Sequence, residues 1–163
     1  MSIFTTSKKT PAAAMRAAAP ADIDAVHRLL IASGLPTDGV AEAIDGFVVA
    51  ESAGRLVGVA GLEVCCENAL LRSVAVEAEW RSRGLGRALV TRVISDAEAR
   101  GIRALYLLTT TAERYFPSFG FQQITRDEVP NDIRETKEFQ EACPASATVM
   151  ACRLASAGAT EMS

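Results

Sequence analysis

The apolar positions of this chain recur first at helical spacing and later in short continuous runs. A helix is expected to begin at Pro20 and to end before Gly34, and its core face consists of Ile23, Val26, Leu29 and Leu30. A short second helix is expected over 40–44. A longer helix is predicted over 85–100, with Gly101 as its C-terminal cap. Its inward row is Leu85, Leu89, Val93 and Ala97.

Runs of aliphatic and β-branched residues between these helices predict strands. They are expected over 47–51, 55–64, 69–76, 104–108 and 147–154. The run over 69–76 is apolar at most positions, which indicates a strand buried on both faces, with helices covering each face of its sheet. A short helix is expected over 112–118, and short helices and loops over 127–142. The pattern as a whole predicts an α/β (α+β) fold.

Length and charge restrict the class of protein. The chain has 163 residues, which fits one domain, expected over 15–154 between disordered tails at 1–14 and 155–163. The net charge is −3 with interspersed signs, so no basic field supports nucleic-acid binding. Because the sequence has neither a long apolar window nor a signal-peptide core, we expect a cytoplasmic protein with no membrane partner.

The four cysteines lack the paired spacing of a metal site, so no bound metal is expected. The adjacent Cys65 and Cys66 are a poor unit for a disulfide framework, and reduced, buried thiols are the expected state. Binding of trivalent arsenic by this pair stays open. The oligomeric state also stays open, with a homodimer as one alternative.

The segment 81–88 combines glycine with positive charge between a predicted strand and a predicted helix. Its sequence is Arg81-Ser82-Arg83-Gly84-Leu85-Gly86-Arg87-Ala88. Gly84 and Gly86 allow an anion to approach backbone N–H groups at the positive end of the helix. A Walker A loop would need a Gly-Lys pair, which this segment lacks, and a dinucleotide-binding loop would need a third glycine where Leu89 stands. The segment therefore predicts a pyrophosphate site of another kind.

With this segment, the chain resembles the Gcn5-related N-acetyltransferase (GNAT) superfamily over about residues 15–154. Within that superfamily it is similar to the arsenic-resistance-associated N-acetyltransferases, which in turn resemble the catalytic domain of N-acetylglutamate synthase. The motifs that support this narrower resemblance are Leu-Leu-Arg-Ser-Val-Ala-Val at 70–76, Tyr-Leu-Leu-Thr-Thr-Thr-Ala at 106–112, the Phe116 to Phe121 segment, and Cys-Pro-Ala-Ser-Ala at 143–147.

The resemblance implies a mixed, mostly antiparallel sheet of six to seven strands, with helices on both faces and a splay between strands 4 and 5. Acetyl-CoA would be the cosubstrate: its pantetheine would lie along one strand and its pyrophosphate against backbone N–H groups of 83–88. The contacts expected on this basis are Val74, Ala75, Val76, Arg81, Arg83, Gly84, Leu85, Gly86, Arg87, Ala88 and Thr109.

The resemblance also implies direct attack of a neutral amine on the thioester, with a backbone N–H near Val74 or Ala75 stabilising the oxyanion. Phe116 occupies the position of the family's usual acid, a tyrosine, so the acid is either the neighbouring Tyr115 or water. Glu63, or Glu67 in the turn after it, is the candidate base, and a solvated carboxylate is the alternative for each.

Arg72 is the main candidate for substrate binding, because a cation inside an apolar strand needs an anionic partner. Strand parity would place it on the same face as Leu70, Val74 and Val76, where it could hold a substrate carboxylate. The alternative is an internal ion pair with Glu63 or Glu51.

Other residues could complete a substrate site: Ser146, Arg126, Arg134 and Lys137. The predicted partner is a small-molecule amine: a small acidic amino acid such as glutamate, or its analogues phosphinothricin and arsinothricin, with arsenic resistance as a role. The alternatives are acetylation of a protein amine and a non-catalytic acyl-CoA-binding module.

Overall fold

The computed structural model describes residues 13–110, 114–136, 139–140 and 147–154. Its strands are β1 (Ala14–Ala17), β2 (Phe47–Ser52), β3 (Arg55–Cys65), β4 (Asn68–Val76), β5 (Ala104–Thr109), β6 (Gln122–Ile124) and β7 (Thr148–Arg153). Its α-helices are α1 (Ile23–Ala32), α2 (Leu85–Ala99) and α3 (Asn131–Arg134). Short 3₁₀ turns occur at Pro20–Asp22, Ile44–Gly46, Ala78–Trp80, Phe116–Phe119 and Arg126–Glu128.

The strands form one seven-stranded sheet in the order β1-β2-β3-β4-β5-β7-β6. Every neighbouring pair is antiparallel except β4 and β5, which are parallel. The sheet is therefore mixed and mostly antiparallel, as the resemblance implied. The parallel pair lies at its centre, where α2 supplies the crossover that a parallel connection requires.

Helices cover both faces of the sheet, as the doubly buried strand predicted. The predicted inward row of α2 is fully packed: Leu85, Leu89, Val93 and Ala97 lie in one core cluster with β2, β3 and β4. On the other face, Val26, Leu29 and Leu30 of α1 pack on Val49, Val59 and Ala75. A third cluster joins Leu70 to Val129, Ile133 and Val149 beneath α3.

Several predicted boundaries were wrong. The predicted 40–44 helix is a set of turns before the 3₁₀ turn Ile44–Gly46, although Val40 is fully buried. The predicted helix over 112–118 is a 3₁₀ turn at Phe116–Phe119, and 111–113 lie outside the described residues. Neither β1 nor β6 was predicted, and β1 begins at Ala14, inside the expected tail.

A β-bulge interrupts β4 at Ser73, whose φ is 59°. Gly61 of β3 pairs with Arg72, whereas Val59 pairs with Ala75, so the register shifts across this point. The prediction that Arg72 shares a face with Val74 and Val76 was wrong, because an extra residue reverses the alternation of side chains.

Candidate active site

A cleft opens where β4 and β5 separate. The two strands pair only from Asn68 to Leu70 against Ala104 to Tyr106, and beyond these residues they diverge. The cleft has a volume of about 290 Å³. Its walls are Leu35, Pro36, Leu71, Arg72, Ser73, Val74, Ala75, Val76, Gly86, Leu107, Leu108, Thr109, Tyr115 and Phe116. The implied splay after strand 4 is therefore a real gap in the sheet.

The bulge decides which β4 side chains point to each face of the sheet beside this cleft. Val74 and Val76 pack against the core cluster beneath α2, while Ala75 between them belongs to the cluster beneath α1. Because the positive φ of Ser73 turns the chain out of the regular pleat, the backbone beside the cleft departs from the ladder geometry of β3.

The segment 81–88 forms the entry into α2 beside the cleft. Gly84 has φ 83° and occupies the position before the helix, and no side chain caps that helix. The first intrahelical bond runs from the Ala88 N–H to the Gly84 carbonyl at 3.0 Å. The N–H groups of the residues before Ala88 are therefore not used in the hydrogen bonds of the helix itself. They lie at the positive end of a 15-residue helix.

A second cavity, of about 340 Å³, adjoins the cleft along this segment. Its walls are Val76, Arg81, Ser82, Gly84, Gly86, Arg87 and Tyr115. Three of these, Val76, Gly86 and Tyr115, also line the cleft. A Cβ placed on Gly86 would lie 3.5 Å from the Tyr115 hydroxyl and 3.6 Å from Val76 Cγ2. The missing side chain of Gly86 therefore keeps the junction of the two cavities open.

The three arginines of this segment are held by different contacts. Arg81 Nε donates to the Val76 carbonyl at 3.0 Å. The Arg83 guanidinium lies 5.2 Å from the Trp80 ring centroid. Arg87 Nη2 donates to Ser118 Oγ at 2.7 Å. Arg81 and Arg87 line the second cavity and give positive charge to its wall, in a protein with a net charge of −3.

Tyr115 and Phe116, the two residues at or next to the position of the family's usual tyrosine, both line the cleft and differ in burial. Phe116 is 7% exposed and belongs to the core cluster, although its ring also lines the cleft. Tyr115 is 37% exposed and its hydroxyl faces Gly86. Burial of its ring raises the pKa of Tyr115 above its ordinary value, and the nearby charge of Arg87 opposes this shift. Tyr115 thus reaches the cleft, although it stands one residue before the position of the family's usual tyrosine.

Arg72 lies in the cleft wall, but its guanidinium has internal partners. Arg72 Nη1 donates to Glu63 Oε1 at 3.0 Å, Nε donates to Ser73 Oγ at 3.1 Å, and Nη2 donates to the Asp38 carbonyl. Its side chain is 0% exposed and that of Glu63 is 22% exposed. The internal ion pair with Glu63, one of the two alternatives predicted from sequence, is the one that the structure contains.

Glu63 does not line the cleft. It lines a separate cavity with Glu42, Asp45 and Arg100. Glu67 forms an exposed ion pair with Arg103 at the hairpin, beyond the paired end of β4. Neither carboxylate is therefore in the position expected of a base beside the cleft.

The remaining candidates divide into three groups. Thr109 lines the cleft at the end of β5. Arg134 donates to the Val129 and Arg126 carbonyls, and Arg126 lies over the Phe139 ring, so both arginines have contacts within the segment around α3. Ser146 and Lys137 lie outside the described residues. Leu35 and Pro36 of the cleft were not predicted, because their loop contains only a turn signal.

The cysteines that the structure describes are free: Cys65 is half-buried, Cys66 is exposed and Cys152 is buried. The expectation of buried thiols was thus wrong for Cys66, which occupies the tip of the β3–β4 hairpin at φ 59°. Burial raises the pKa of Cys65 to about 11. Among the described residues, no group of His, Cys, Asp and Glu side chains could hold a metal ion. No described helix is long and apolar enough to cross a membrane.

Comparison with known proteins identifies relatives with this fold. Residues 43–123 match the family described as acetyltransferase (GNAT) domain. Over 99 residues the chain is 34% identical to the amino-acid acetyltransferase of Aeromonas salmonicida, covering 60% of this chain and 22% of that protein.

Two solved structures show the same fold. N-acetylglutamate synthase from Neisseria gonorrhoeae, complexed with coenzyme A and N-acetyl-glutamate, matches with a TM-score of 0.76 and 24% identity, covering 90% of this chain and 36% of that one. The ribosomal-protein-S18-alanine N-acetyltransferase from Escherichia coli matches with a TM-score of 0.69 and 23% identity, covering 90% and 96%. This chain therefore spans only a minor part of the amino-acid acetyltransferase and of the N-acetylglutamate synthase.

Proposed function

The chain belongs to the GNAT acetyltransferase family, and from this premise we propose that it transfers an acetyl group from acetyl-CoA to the amino group of a small acidic amino acid or analogue. Glutamate, phosphinothricin and arsinothricin are the substrates we expect. The observation that supports this most directly is the cleft between β4 and β5, which adjoins the cavity along 81–88 and has Arg72 as the one charged residue in its described walls.

The residues around the two cavities fit acetyl-CoA as the acetyl donor. The N–H groups at the start of α2, with Arg81 and Arg83 in the same segment, would bind the pyrophosphate, since an anion is favoured at a helix N-terminus. Gly86 leaves space for it, as its Cβ would project into the junction of the two cavities. The backbone of Val74, Ala75 and Val76 would hold the pantetheine in the gap beside β4. Thr109 would contact it from β5.

The reaction needs few protein groups once both substrates are held. The neutral amine nitrogen forms a bond to the thioester carbonyl carbon, the carbon–sulfur bond breaks, and the amine proton passes to water. A backbone N–H near the bulge, at Val74 or Ala75, would stabilise the oxyanion that precedes this cleavage. Positioning of the two substrates supplies much of the acceleration.

Tyr115 is the acid in this proposal. Because burial raises the pKa of Tyr115, its hydroxyl remains protonated at neutral pH and can give its proton to the departing CoA sulfur. The hydroxyl then recovers a proton from water. Its hydroxyl lies opposite Gly86 at the junction of both cavities, and this position beside the cleft supports the assignment.

Arg72 and Glu63 contribute to the acceptor side. Through the Asp38 carbonyl, Arg72 fixes the loop whose Leu35 and Pro36 form one wall of the cleft. A substrate carboxylate at that wall would compete with Glu63 for the guanidinium, and bidentate pairing with arginine favours such an exchange. We therefore assign Glu63 to holding Arg72 in the absence of substrate rather than to proton transfer.

A substrate panel tests the proposal. The protein is incubated with acetyl-CoA and each common amino acid, phosphinothricin or arsinothricin, and N-acetylated products are measured by mass spectrometry. We expect kcat/KM for acidic substrates to exceed that for alanine by about 10- to 100-fold, because only an acidic substrate offers Arg72 a carboxylate, and a hydrogen bond to a charged group contributes about 1.5–3 kcal/mol. Turnover of peptide N-termini alone would favour a protein acetyltransferase, and CoA binding without any product would favour a non-catalytic module.

The role of Arg72 has its own kinetic test. Arg72→Ala is expected to raise KM for the acidic amino acid while leaving KM for acetyl-CoA nearly unchanged, because its side chain lies on the acceptor wall. Arg92→Ala is the matched control, since Arg92 pairs with Asp96 on α2 and does not line the cleft. Equal amino-acid kinetics in both variants would remove Arg72 from the substrate site.

A further inference from the structure

The start of α2 is connected to the 3₁₀ turn Phe116–Phe119 by one side chain. Arg87 Nη2 donates to Ser118 Oγ at 2.7 Å, and the Ser118 hydroxyl donates to the Tyr115 carbonyl at 2.9 Å. The same guanidinium lies 4.5 Å from the centroid of the Phe119 ring. Arg87, which lines the cavity along 81–88, here called the donor cavity, thus contacts the turn at two points.

These two points adjoin the Tyr115 ring itself. The Tyr115 and Phe119 ring centroids are 5.3 Å apart and the Tyr115 and Phe116 centroids 5.2 Å apart, both in edge-to-face geometry. Phe116 is anchored in the core, with its centroid 5.8 Å from that of Phe121. Tyr115 therefore has one fixed aromatic neighbour in the core and one, Phe119, that Arg87 covers from outside.

We propose that Arg87 is a positioning residue that, through Ser118 and Phe119, holds the Tyr115 hydroxyl at the junction of the cleft and the donor cavity. Its catalytic consequence rests on the proposed function, in which Tyr115 is the acid. The contacts themselves are independent of that function.

The geometry separates Arg87 from its two neighbours in the segment 81–88. The Arg81 side chain is tied to the end of β4, and Arg83 lies over Trp80, so neither approaches the turn. The charge of Arg87 also acts on Tyr115, where it opposes the rise of the pKa that burial causes. Arg87 is the residue through which the donor site and the acid are joined.

A spectroscopic experiment tests the contact without requiring turnover. The chain contains two tyrosines, so Tyr106→Phe leaves Tyr115 alone, and incorporation of 3-fluorotyrosine gives one ¹⁹F resonance. Arg87→Gln is expected to raise the pKa read from that resonance and to change its shift at neutral pH. Ser118→Ala should change the shift as well. Arg92→Gln, on the same helix but paired with Asp96, should change neither.

Steady-state kinetics supply the second readout. Arg87→Gln and Ser118→Ala are expected to lower kcat by about tenfold, with KM for acetyl-CoA changed by less than about threefold, since a misplaced acid affects the chemical step. Arg87→Lys should restore part of kcat, because it keeps the charge near Phe119 but not the planar fork.

The outcomes that overturn the proposal are distinct from failure of the proposed function. A tenfold rise in KM for acetyl-CoA with unchanged kcat would make Arg87 a phosphate ligand. A ¹⁹F resonance that is the same in Arg87→Gln and Arg92→Gln would show that Arg87 does not position Tyr115. If the wild-type protein acetylates no substrate, the proposed function fails while the ¹⁹F comparison still decides the role of Arg87.

Discussion

Substitution of Gly86 is expected to affect folding and donor binding in opposite directions. In the structure, a Cβ at this position would lie at ordinary van der Waals distance from its neighbours, 3.5 Å from the Tyr115 hydroxyl and 3.6 Å from Val76 Cγ2. Gly86→Ala therefore adds no clash, and it removes the entropic cost of glycine within a helix, up to about 1 kcal/mol. For a chain of this length, that corresponds to a rise in Tm of roughly 2–4 °C.

Donor binding should weaken because the same Cβ projects into the junction of the two cavities. A pyrophosphate held away from the first turn of α2 loses at least one charge-assisted hydrogen bond, worth about 1.5–3 kcal/mol. At about 1.4 kcal/mol per factor of ten, the dissociation constant for CoA should rise roughly 10- to 100-fold. Gly86→Val, which adds a β-branch, should reach the upper end of this range.

Calorimetric titration with CoA and thermal unfolding measure the two effects on the same samples. Ser95→Val is the matched control, because Ser95 is an exposed position of the same helix, distant from both cavities. CoA affinity in Gly86→Val equal to that of Ser95→Val would refute the assignment of 81–88 as the pyrophosphate site. A large fall in Tm with Gly86→Ala would instead show that the neighbours of Gly86 are packed more tightly than the distances indicate.

Three further predictions concern other groups. Glu63→Ala should lower the free energy of unfolding in urea by about 3–5 kcal/mol, because it leaves the guanidinium of Arg72 buried without its carboxylate, and the double variant Glu63→Leu/Arg72→Met should recover most of this. Since the pKa of Tyr115 is raised above 10.0, its hydroxyl stays protonated past that pH, and kcat should fall only at higher pH. Tyr115→Phe should lower kcat and remove this alkaline fall. With the pKa of Cys65 raised from 9.0 to about 11, its thiolate fraction falls by about 100-fold, so peptide mass spectrometry should find Cys66 alkylated first by iodoacetamide at pH 8. Equal alkylation of both cysteines would contradict that burial.

The elements that the sequence predicted are those whose local pattern and tertiary environment agree. The inward row of α2 is apolar at helical spacing, and the structure buries each of its four residues. The apolar run of β4 likewise predicted a strand covered on both faces, and α1 and α2 lie on those faces. In both cases, the burial that stabilises the element is visible in the spacing of its own residues.

The elements that were missed depend on contacts remote in sequence. β1 has four residues, most of them exposed, and its place in the sheet comes from pairing with β2. β6 has three residues and is paired with β7, which follows it by more than twenty positions. The bulge at Ser73 has no local signal either, because a positive φ at serine is fixed by the register between β3 and β4.

The same distinction separates the donor side of the site from the acceptor side. Recognition of a pyrophosphate by backbone N–H groups requires glycine and a helix start within a few residues, so the donor could be predicted from one contiguous segment. The acceptor wall consists of side chains from the loop after α1, from β4 and from β5, which only the completed sheet brings together. Arg72 illustrates the consequence. Its need for an anionic partner followed from the sequence, but the choice of Glu63 over Glu51 depends on the register that pairs Gly61 with Arg72 and on the ion pair of Glu51 with Arg16. Specificity for the amine should accordingly be sought in the loop that Arg72 fixes, where Leu35 and Pro36 line the cleft, rather than in the segment 81–88.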